Sequence, residues 1–329
     1  MVSVIITAFN RRDFLVEAVK SVLNQKVDPG KYEIIVTKNF LDANIDGFLK
    51  ENNLISIVDE KPGMGYRLSR AIEIARGDVI CFLQDDDLWL DGKLQNVLDE
   101  FMIGKLGVLR NGVIKIDGDG HVIKSHCGSN RRILKVQGNT TDSDRIRDVF
   151  VPCGKGLASS LSISKELMIR NNDVLAKIFF TIDDWITYCC LDSEDEYRAV
   201  PYNLTAFRVH ESESHYSKPE NSEARKVRFL MQVVNDQDLM IKELKSSELR
   251  KFVMAERARN YLLYTLSSAS SANVRAVLYN SKLFIPFILI NRNLSNLVVL
   301  FFGFAQLLVG AYAKTIFLAL LRSGVSSSI

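Results

Sequence analysis

The 329-residue sequence lacks the features that would assign it to a specialised class of protein. Its five cysteines, Cys81, Cys127, Cys153, Cys189 and Cys190, show neither zinc-ligand spacing nor a disulfide framework, which favours a reducing compartment. The formal net charge of +3 indicates no particular partner, and we expect no nucleic acid. There is no internal repeat and no low-complexity segment. The composition, 47% apolar and 25% charged, is that of a globular protein long enough for one large domain and an appendage.

The first half of the sequence alternates between strand and helix patterns. Short apolar runs predict strands over 2–8, 32–37, 55–58 and 78–83, and apolar residues at helical spacing predict helices over 12–25, 45–52 and 66–75. This alternation is typical of an α/β domain with a mostly parallel sheet flanked by helices. Because the first strand follows Met1 directly, we expect no signal peptide before it.

Three adjacent carboxylates, Asp85, Asp86 and Asp87, follow the apolar run at 79–83. Open α/β sheets bind ligands at the carboxyl ends of their strands, and three acids there repel one another unless a cation lies among them. Oxygen ligands suit Mg²⁺ or Mn²⁺, which usually bridge protein carboxylates to substrate phosphates. The segment therefore predicts a metal–diphosphate site, with a solvated acidic turn as the alternative.

Three segments occur in a fixed order: SVIITAFNR at 3–11, YEIIV at 32–36 and AIEIARGDVI at 71–80, which leads to the acids. This ordered set resembles the family 2 glycosyltransferases of the GT-A fold. The resemblance implies a catalytic domain over 1–215 that binds a nucleotide-sugar, with UDP or GDP as the nucleotide. It places the base and ribose at the first strand and its loop, matched here by Thr7, Ala8, Phe9, Asn10 and Arg11. It also implies a DXD-type motif that holds Mg²⁺ or Mn²⁺ on the diphosphate.

Two segments depart from the family pattern. Where the family usually has Asp-x-Asp-Asp, this sequence has Gln84 followed by three acids, so the first carboxylate is replaced by an uncharged amide. After the second strand, where the family commonly has Val-Asp-Asp-Gly-Ser, the sequence reads Thr37-Lys38-Asn39-Phe40. Asn39 is the remaining candidate for a base contact, and loss of the acid leaves the choice among UDP, GDP or another nucleotide open.

The resemblance also implies roles for the acids and for residues downstream. We assign the metal chiefly to Asp86, with Asp85 assisting, and expect Asp87 to orient the loop. Arg67 and Asp85 complete the predicted nucleotide contacts of this half of the chain.

The segment FRVHESES at 207–214 resembles the family's Tyr-Arg-x-His segment, which packs toward the diphosphate. His210 is therefore a candidate metal ligand, and Arg208 a candidate contact to the phosphates. A single histidine after a strand is otherwise more often structural.

A candidate general base lies in the segment TIDDW at 181–185. In inverting members of the family, an Asp-Asp or Glu-Asp pair before an aromatic residue opens a helix near the acceptor, and its carboxylate takes the acceptor's proton. The motif assigns Asp184 as base and Asp183 as its neighbour. Helix capping by Thr181 or Asp183 is the structural alternative, and both roles are compatible.

The composition changes after residue 215. Residues 216–282 contain twelve Lys or Arg against seven Asp or Glu, with helical periodicity over 229–266, and we predict a polar linker at 214–228 before it. Apolar residues dominate at 283–290 and 297–321, and the part at 297–313 would be about 26 Å long as a helix, close to the hydrocarbon thickness of a bilayer. We predict a membrane-associated or transmembrane segment over 283–322, with a helical hairpin in the protein core as the alternative.

Three basic residues, Arg275, Lys282 and Arg292, precede the long apolar segment and only Arg322 follows it. This asymmetry predicts a catalytic domain on the cytoplasmic face of a membrane. That location suggests a lipid-linked glycan acceptor, as in glycoprotein or surface-polysaccharide assembly.

The sequence is therefore interpreted as a metal-dependent inverting glycosyltransferase. One alternative is a catalytically silent nucleotide- or glycan-binding module, which the altered acids at positions 38 and 84 would allow. A sugar nucleotidyltransferase is the other, although the loop at 8–11 is not the Gly-rich basic loop expected of one.

Overall fold

The computed structural model of the protein describes residues 1–127, 132–150, 157–209, 219–268, 273–291 and 294–309, together with Ile316 and Ala319. The chain divides into two compact units, Met1–His210 and Glu211–Ile329. The strands of the first unit are β1 (Val2–Ala8), β2 (Tyr32–Lys38), β3 (Ile55–Val58), β4 (Val79–Gln84), β5 (Leu88–Trp89), β6 (Leu106–Ile116), β7 (Val122–Cys127), β8 (Leu134–Gln137), β9 (Leu161–Ser164) and β10 (Glu196–Arg208).

The helices of the first unit alternate with these strands in the first half of the chain. They are α1 (Leu15–Leu23), α2 (Ala43–Glu51), α3 (Met64–Ile74), α4 (Lys93–Phe101), α5 (Ser143–Phe150), α6 (Lys165–Arg170), α7 (Asn172–Leu175) and α8 (Ile182–Leu191), with short 3₁₀ turns at Pro29–Lys31 and Ala158–Ser160. The predicted elements before residue 84 are thus all present, with small shifts at their ends.

The described strands of this unit form one sheet in the order β3-β2-β1-β4-β9-β6-β10-β5, with β7 paired to β6 and β8 to β10. The first four strands are parallel, as predicted. Beyond β4 the sheet is mixed, because β9 lies antiparallel to both β4 and β6 whereas β6 and β10 are parallel. The prediction of a mostly parallel sheet is therefore wrong for the second half.

The core of this unit lies between the sheet and its helices. Every residue of β1 is buried, as expected for a strand enclosed by parallel neighbours, and α1 buries Leu15, Ala18, Val19 and Val22. Helix α2 begins at a capping residue, because the Asp42 carboxylate accepts hydrogen bonds from the amides of Asn44 and Ile45.

A close backbone contact positions the start of α3. The amides of Met64 and Gly65 donate to the carbonyls of Phe179 and Ile178 at 3.0 and 3.1 Å. A Cβ at position 65 would lie 2.0 Å from the carbonyl oxygen of Leu175, so only glycine fits there. This contact joins α3 to the segment that leads into α8.

The second unit is helical in its described residues: α9 (Pro219–Glu243), α10 (Ser247–Ser267), α11 (Val274–Asn291) and α12 (Leu294–Val309). The predicted linker at 214–228 is helical from Pro219 onward, since proline suits the first position of a helix. The predicted helix at 229–266 is two helices, because Ser246 caps α10 by accepting a hydrogen bond from the Leu249 amide. Residues 214–218 lie outside the described part.

The apolar tail corresponds to α11 and α12, and the predicted boundary at 282 falls inside α11. Both helices bury one face in a cluster that α9 and α10 share: Leu230, Ala258, Leu262, Leu263, Leu266, Val277, Phe284, Val299 and Phe302. Among the described residues, no helix combines the length and apolar character that crossing a bilayer requires. The predicted segment at 297–321 extends beyond α12 into residues that are largely outside the described part.

Candidate active site

The segments singled out in the sequence meet at one edge of the sheet, where the parallel strands β1, β2 and β4 end. Thr7 of β1 is in register with Thr37 of β2 on one side and with Gln84 of β4 on the other. The Asp85 amide continues this arrangement by donating to the Thr7 carbonyl at 3.1 Å. The loops after the three strands therefore leave the sheet side by side, at its carboxyl edge.

The three acids that follow β4 are buried, with exposures of 3% for Asp85, 7% for Asp86 and 0% for Asp87. Burial raises the pKa of Asp85 to about 6, although the hydrogen bond and charge of Arg11 oppose the shift. Burial and the charge of Asp86 also raise the pKa of Asp87, and a hydrogen bond from Ser159 offsets part of this. The alternative of a solvated acidic turn is therefore wrong, and the acids favour a cationic partner.

Arg11, in the loop after β1, supplies a cationic partner. Its Nη2 lies 2.8 Å from Asp86 Oδ2, and its Nε donates to Asp85 Oδ2 at 3.3 Å. Burial lowers the pKa of Arg11, but the hydrogen bond to Asp85 and the charges of the acids outweigh this and raise it overall. Ion pairs of Arg11 thus connect the loop after β1 with the acids after β4, at the predicted nucleotide and metal positions.

The Asp87 carboxylate accepts hydrogen bonds from two distant segments of the chain. The Ser159 hydroxyl donates to Asp87 Oδ2 at 2.5 Å, and the Arg208 amide donates to Asp87 Oδ1 at 3.1 Å. Ser159 Oγ in turn accepts a hydrogen bond from the backbone amide of Gln84 at 3.0 Å. These contacts are consistent with a residue that orients the acid loop.

Arg208, the last residue of β10, contacts the acid segment, and its side chain is only 1% exposed. Its guanidinium donates to the carbonyl of Asp86 at 3.0 Å, to the carbonyl of Gly118 at 2.6 Å and to the carboxylate of Glu17 at 2.6 Å. It also lies over the ring of Phe14. In this conformation the guanidinium offers almost no surface to a phosphate, and its contacts are those of a residue that positions the acid loop.

Phe9 and Arg67 form another part of the predicted nucleotide region. The Arg67 guanidinium lies over the Phe9 ring, 4.4 Å from its centroid, and donates to the Lys61 carbonyl at 3.2 Å. Arg67 is 3% exposed and its Nε has no hydrogen-bond acceptor within the described residues. Burial lowers the pKa of Arg67, with the charges of Asp59 and Asp85 opposing the shift. A buried, unsatisfied cationic donor next to an aromatic ring suits an anionic or polar ligand.

Asn10 and Asn39 join the loops after β1 and β2. The Asn10 amide donates to Asn39 Oδ1 and Asn39 Nδ2 donates to Asn10 Oδ1, both at 2.7 Å. Asn10 has a positive φ of 58°, which asparagine tolerates better than most residues. The side chain of Asn39 thus lies in the predicted base region.

Lys38, which replaces the family's acid, is paired with groups of the protein itself. It is completely buried, and its Nζ lies 2.8 Å from Asp46 Oδ1 of α2 and donates to the Phe40 carbonyl at 2.6 Å. The replacement therefore supplies an internal ion pair in the structure, and Asn39 is the nearer candidate for a ligand contact.

The candidate base residues, Asp183 and Asp184, occupy the first turn of α8. Asp184 is buried and Asp183 is half-buried. Thr181 is the N-cap residue, but its side chain makes no capping hydrogen bond. The contact of α3 with the segment at 178–179 brings this turn to the same side of the unit as β4, where Gln84 Nε2 lies 4.0 Å from the Met64 sulfur.

His210, the candidate metal ligand, lies outside the described residues. Ser159 and Glu17 were not predicted as site residues, and each acts through a partner, Asp87 or Arg208. No local pattern indicates such roles, because the two pairs are 72 and 191 residues apart in sequence.

A second group of possible ligands, Asp117, Asp119 and His121, forms in the turn between β6 and β7. Their ligand atoms lie within 4.8 Å of one another, and two of the three residues are exposed. The Asp117 carboxylate already accepts hydrogen bonds from the amides of Asp119 and His121, at 3.0 and 2.9 Å. The turn is therefore explained without an ion.

Known proteins resemble this chain in sequence and in fold. Residues 3–160 match the model of glycosyl transferase family 2. The glycosyltransferase TuaG of Bacillus subtilis is 33% identical over 112 residues, which cover 31% of this chain and 42% of TuaG. The GalNAc(5)-diNAcBac-PP-undecaprenol beta-1,3-glucosyltransferase of Campylobacter jejuni is 31% identical over 131 residues, 36% of this chain and 40% of that enzyme.

The chain thus spans less than half the length of these two relatives. Among solved structures, residues 1–349 of TarS from S. aureus, in complex with UDP-GlcNAc, have a TM-score of 0.58 at 15% identity. That similarity covers 98% of this chain and 92% of the TarS chain, and it shows a shared fold. The predicted family is confirmed for residues 3–160: this part of the chain is a domain of glycosyl transferase family 2, and the two relatives are named as glycosyltransferases.

Proposed function

We propose that the chain transfers a sugar from a nucleotide diphospho-sugar to an acceptor hydroxyl, with inversion at the anomeric carbon. The observation that carries the proposal is the convergence of Arg11, Arg67 and Phe9 with the acids of β4 at one edge of the sheet. Two guanidinium groups, an aromatic ring and adjacent carboxylates are the chemistry that a nucleoside diphosphate and its cation require. The TarS fold has been solved with UDP-GlcNAc, which supports a UDP-sugar as the first donor to test, with GDP-sugars as the second class.

The acids at this edge fit a divalent cation. Asp85 and Asp86 are adjacent, buried and oxygen-donating, and they already attract the guanidinium of Arg11. Mg²⁺ or Mn²⁺ held there by Asp86, with Asp85 assisting, would neutralise charge on the departing nucleoside diphosphate. His210 is proposed as a further ligand from its motif alone.

Asp184 is proposed as the base that accepts the proton of the acceptor hydroxyl. A hydroxyl is a weak nucleophile, and a positioned base typically contributes about 10²–10⁴-fold to the rate. Asp184 sits in the first turn of α8, and the backbone contacts of α3 hold that turn on the side of the unit where β4 ends. Asp183, one residue before it, is less buried and serves as the comparison residue.

The acceptor is proposed to be a lipid-linked glycan at the cytoplasmic face of a membrane. The Campylobacter relative is named for an undecaprenol-linked acceptor, which supports this class. In α12, Leu297, Phe301 and Phe304 follow one another at spacings of four and three residues, and they are 48%, 66% and 36% exposed. An exposed apolar row of this kind suits insertion into the interfacial region of a bilayer.

Helix α11 adds positive charge to the second unit. Arg275 and Lys282 are exposed, as are the nearby apolar residues Leu278, Tyr279 and Ile285. Basic, aromatic and aliphatic side chains on one surface favour anionic phospholipid headgroups. The proposed attachment is therefore interfacial.

The function is tested by incubating the purified full-length chain with a panel of nucleotide-sugars and an undecaprenol-linked glycan, and measuring released nucleoside diphosphate with Mn²⁺ and with a chelator. We expect release with one donor class and its loss on chelation. Asp86→Ala should abolish Mn²⁺-dependent donor binding in calorimetry, because a methyl group cannot replace a carboxylate ligand. Asp91→Ala, at a nearby exposed acid paired with Lys26, should have no effect. Donor binding without turnover for any donor and acceptor would favour the silent binding module.

A further inference from the structure

Arg11 occupies the place that the proposed function gives to a divalent cation. Its Nη2 lies between the two acids, 2.5 Å from Asp85 Oδ1 and 2.8 Å from Asp86 Oδ2. The acid side chains are 4% and 10% exposed, and the guanidinium forms ion pairs with both of them. The Arg11 side chain itself is 26% exposed and so has contact with solvent at the edge of the sheet.

A guanidinium and a dication cannot both hold Asp86 in this geometry without strong repulsion. A metal–oxygen bond of about 2.1 Å on an oxygen that also lies 2.8 Å from Nη2 would bring the two positive centres within a few ångströms of each other. That repulsion is weakly screened where the carboxylates are buried. A second anion that binds the guanidinium in place of the acids would remove this repulsion.

The diphosphate of a nucleotide-sugar is such an anion. Arg11 follows directly on the loop at 7–10, and an arginine binds phosphate oxygens through the same parallel hydrogen bonds that it makes with carboxylates. Arg11 lies in the connection between β1 and α1, so a change of side-chain rotamer moves the guanidinium without moving the strand. The neighbouring Arg67 already projects a buried donor toward the Phe9 ring in that loop.

We infer that Arg11 is a built-in counter-cation that holds Asp85 and Asp86 in the absence of donor and transfers to the diphosphate when the divalent cation binds. The inference rests on the proposed function and deepens it. In this arrangement the cation and the nucleotide bind cooperatively. Each alone meets an unfavourable charge, whereas together the cation pairs with the acids and the diphosphate pairs with the guanidinium. The cation alone therefore binds weakly to the wild-type chain.

The test measures binding of Mn²⁺ alone to the full-length chain, from the electron paramagnetic resonance signal of free Mn²⁺, and binding of UDP with and without Mn²⁺ by calorimetry. Arg11→Gln should bind Mn²⁺ alone at least about fivefold more tightly than wild type, and its coupling between Mn²⁺ and UDP should fall by the same factor. Arg12→Gln is the matched control, because Arg12 is exposed and pairs with Asp42 instead of the acids. It should behave as wild type in both measurements.

Thermal melting adds a readout that does not depend on nucleotide. Arg11→Gln removes the guanidinium that pairs with both buried acids, so its melting temperature should fall and should recover when Mn²⁺ is added, whereas Mn²⁺ alone should shift wild type little. Arg11→Lys, which keeps the charge but not the fork of donors, should give an intermediate Mn²⁺ affinity and replaces the glutamine variant if that variant cannot be purified.

The inference is overturned if the Arg11 variants bind Mn²⁺ alone no more tightly than wild type while Mn²⁺ and UDP together still bind. A different result would contradict the proposed function itself: the wild-type chain would bind neither UDP nor GDP, whether or not Mn²⁺ is present. The two failures are therefore separate.

Discussion

At the scale of single residues, the three adjacent acids have different surroundings although the sequence makes them look alike. Asp85 and Asp86 face the guanidinium of Arg11, whereas Asp87 is held by the Ser159 hydroxyl and the Arg208 amide. An acid that already accepts two protein hydrogen bonds is less available to a ligand than one paired with a movable side chain. Asp87 is therefore best understood as a support for the other two.

Asp184→Asn should lower turnover by about 10²-fold or more while the affinity for donor stays nearly the same. The reason is that a base acts on the acceptor proton in the transition state and not on the bound donor. Steady-state kinetics with saturating donor, together with calorimetric donor binding, checks both parts. Asp183→Asn is the matched variant and should have a mild effect. The reverse pattern, a large loss of turnover at position 183 and a mild one at 184, would assign the base role to Asp183.

At the scale of elements, α3 connects the acid edge to the turn that carries the candidate base. Gly65 permits this connection, because any side chain there would meet the carbonyl oxygens of Leu175 and Ile178. The contact lies between residues that are more than a hundred positions apart in sequence. It links α3, which precedes the strand that leads to the three acids, to the segment that leads into α8, within one unit.

Gly65→Ala should destabilise the first unit by about 1–3 kcal/mol, since a Cβ there overlaps backbone atoms that cannot move independently. Gly47→Ala in α2 is the control, because a Cβ at that position meets nothing within 4 Å. It should stabilise by about 0.5–1 kcal/mol, as alanine favours helix interiors. Urea unfolding followed by tryptophan fluorescence compares them. Equal stability of the two variants would show that the backbone at 175–178 yields easily.

Helix α4 is joined to the sheet through its first residue, the buried Lys93. Its ammonium donates to the Asn111 side chain of β6 and lies over the Trp89 ring. Burial lowers the pKa of Lys93 to about 8. The unfolded chain therefore holds this proton at a pH where the folded chain has released it, and stability must rise with pH between about 8 and 10.5.

From pH 7.5 to 9.5, Lys93 should thus add about 1–2 kcal/mol to the free energy of unfolding. Lys93→Met keeps the apolar stem and removes the proton, so that increment should be missing from the variant. Denaturant unfolding at the two pH values, followed by tryptophan fluorescence, measures the difference, and subtraction of the variant removes the other groups that titrate in this range. The same pH dependence in both proteins would contradict the assignment.

At the scale of the whole molecule, a family 2 domain is followed by a unit that is helical in its described residues, and helices α11 and α12 of this unit bury one face and expose another. The apolar tail predicted from the sequence thus contributes both a packed core and an exposed row. Removing the chain from about residue 275 would take away Val277, Phe284, Val299 and Phe302 from that core. Surface substitutions are therefore a cleaner test of membrane attachment than truncation.

Leu297→Gln combined with Phe301→Gln should reduce co-sedimentation of the full-length chain with vesicles that contain anionic phospholipid, because both side chains are exposed on α12. Donor hydrolysis in the absence of vesicles should be unchanged. Met231→Gln removes an exposed apolar side chain from α9 and should leave vesicle binding intact. Unaltered sedimentation of the double variant would remove α12 from the proposed attachment surface.

The sequence by itself determined the strands and helices before residue 84 and the position of the acid motif. Apolar runs and helical spacing are local signals, and the acids come directly after a strand whose carboxyl end is exposed to ligands. The family was also recognisable, because ordered short segments carry its signature. These properties depend on residues that are neighbours in the chain.

Only the tertiary structure decided which charges meet. Arg11 and Asp85 are 74 residues apart, and Arg208 and the Asp86 carbonyl are 122 apart, so no local pattern could pair them. The same holds for β9, whose insertion between β4 and β6 makes the sheet mixed, and for Lys38, which turns inward to Asp46. Burial and long-range pairing change what a charged side chain can do, and both arise only when distant segments are packed together.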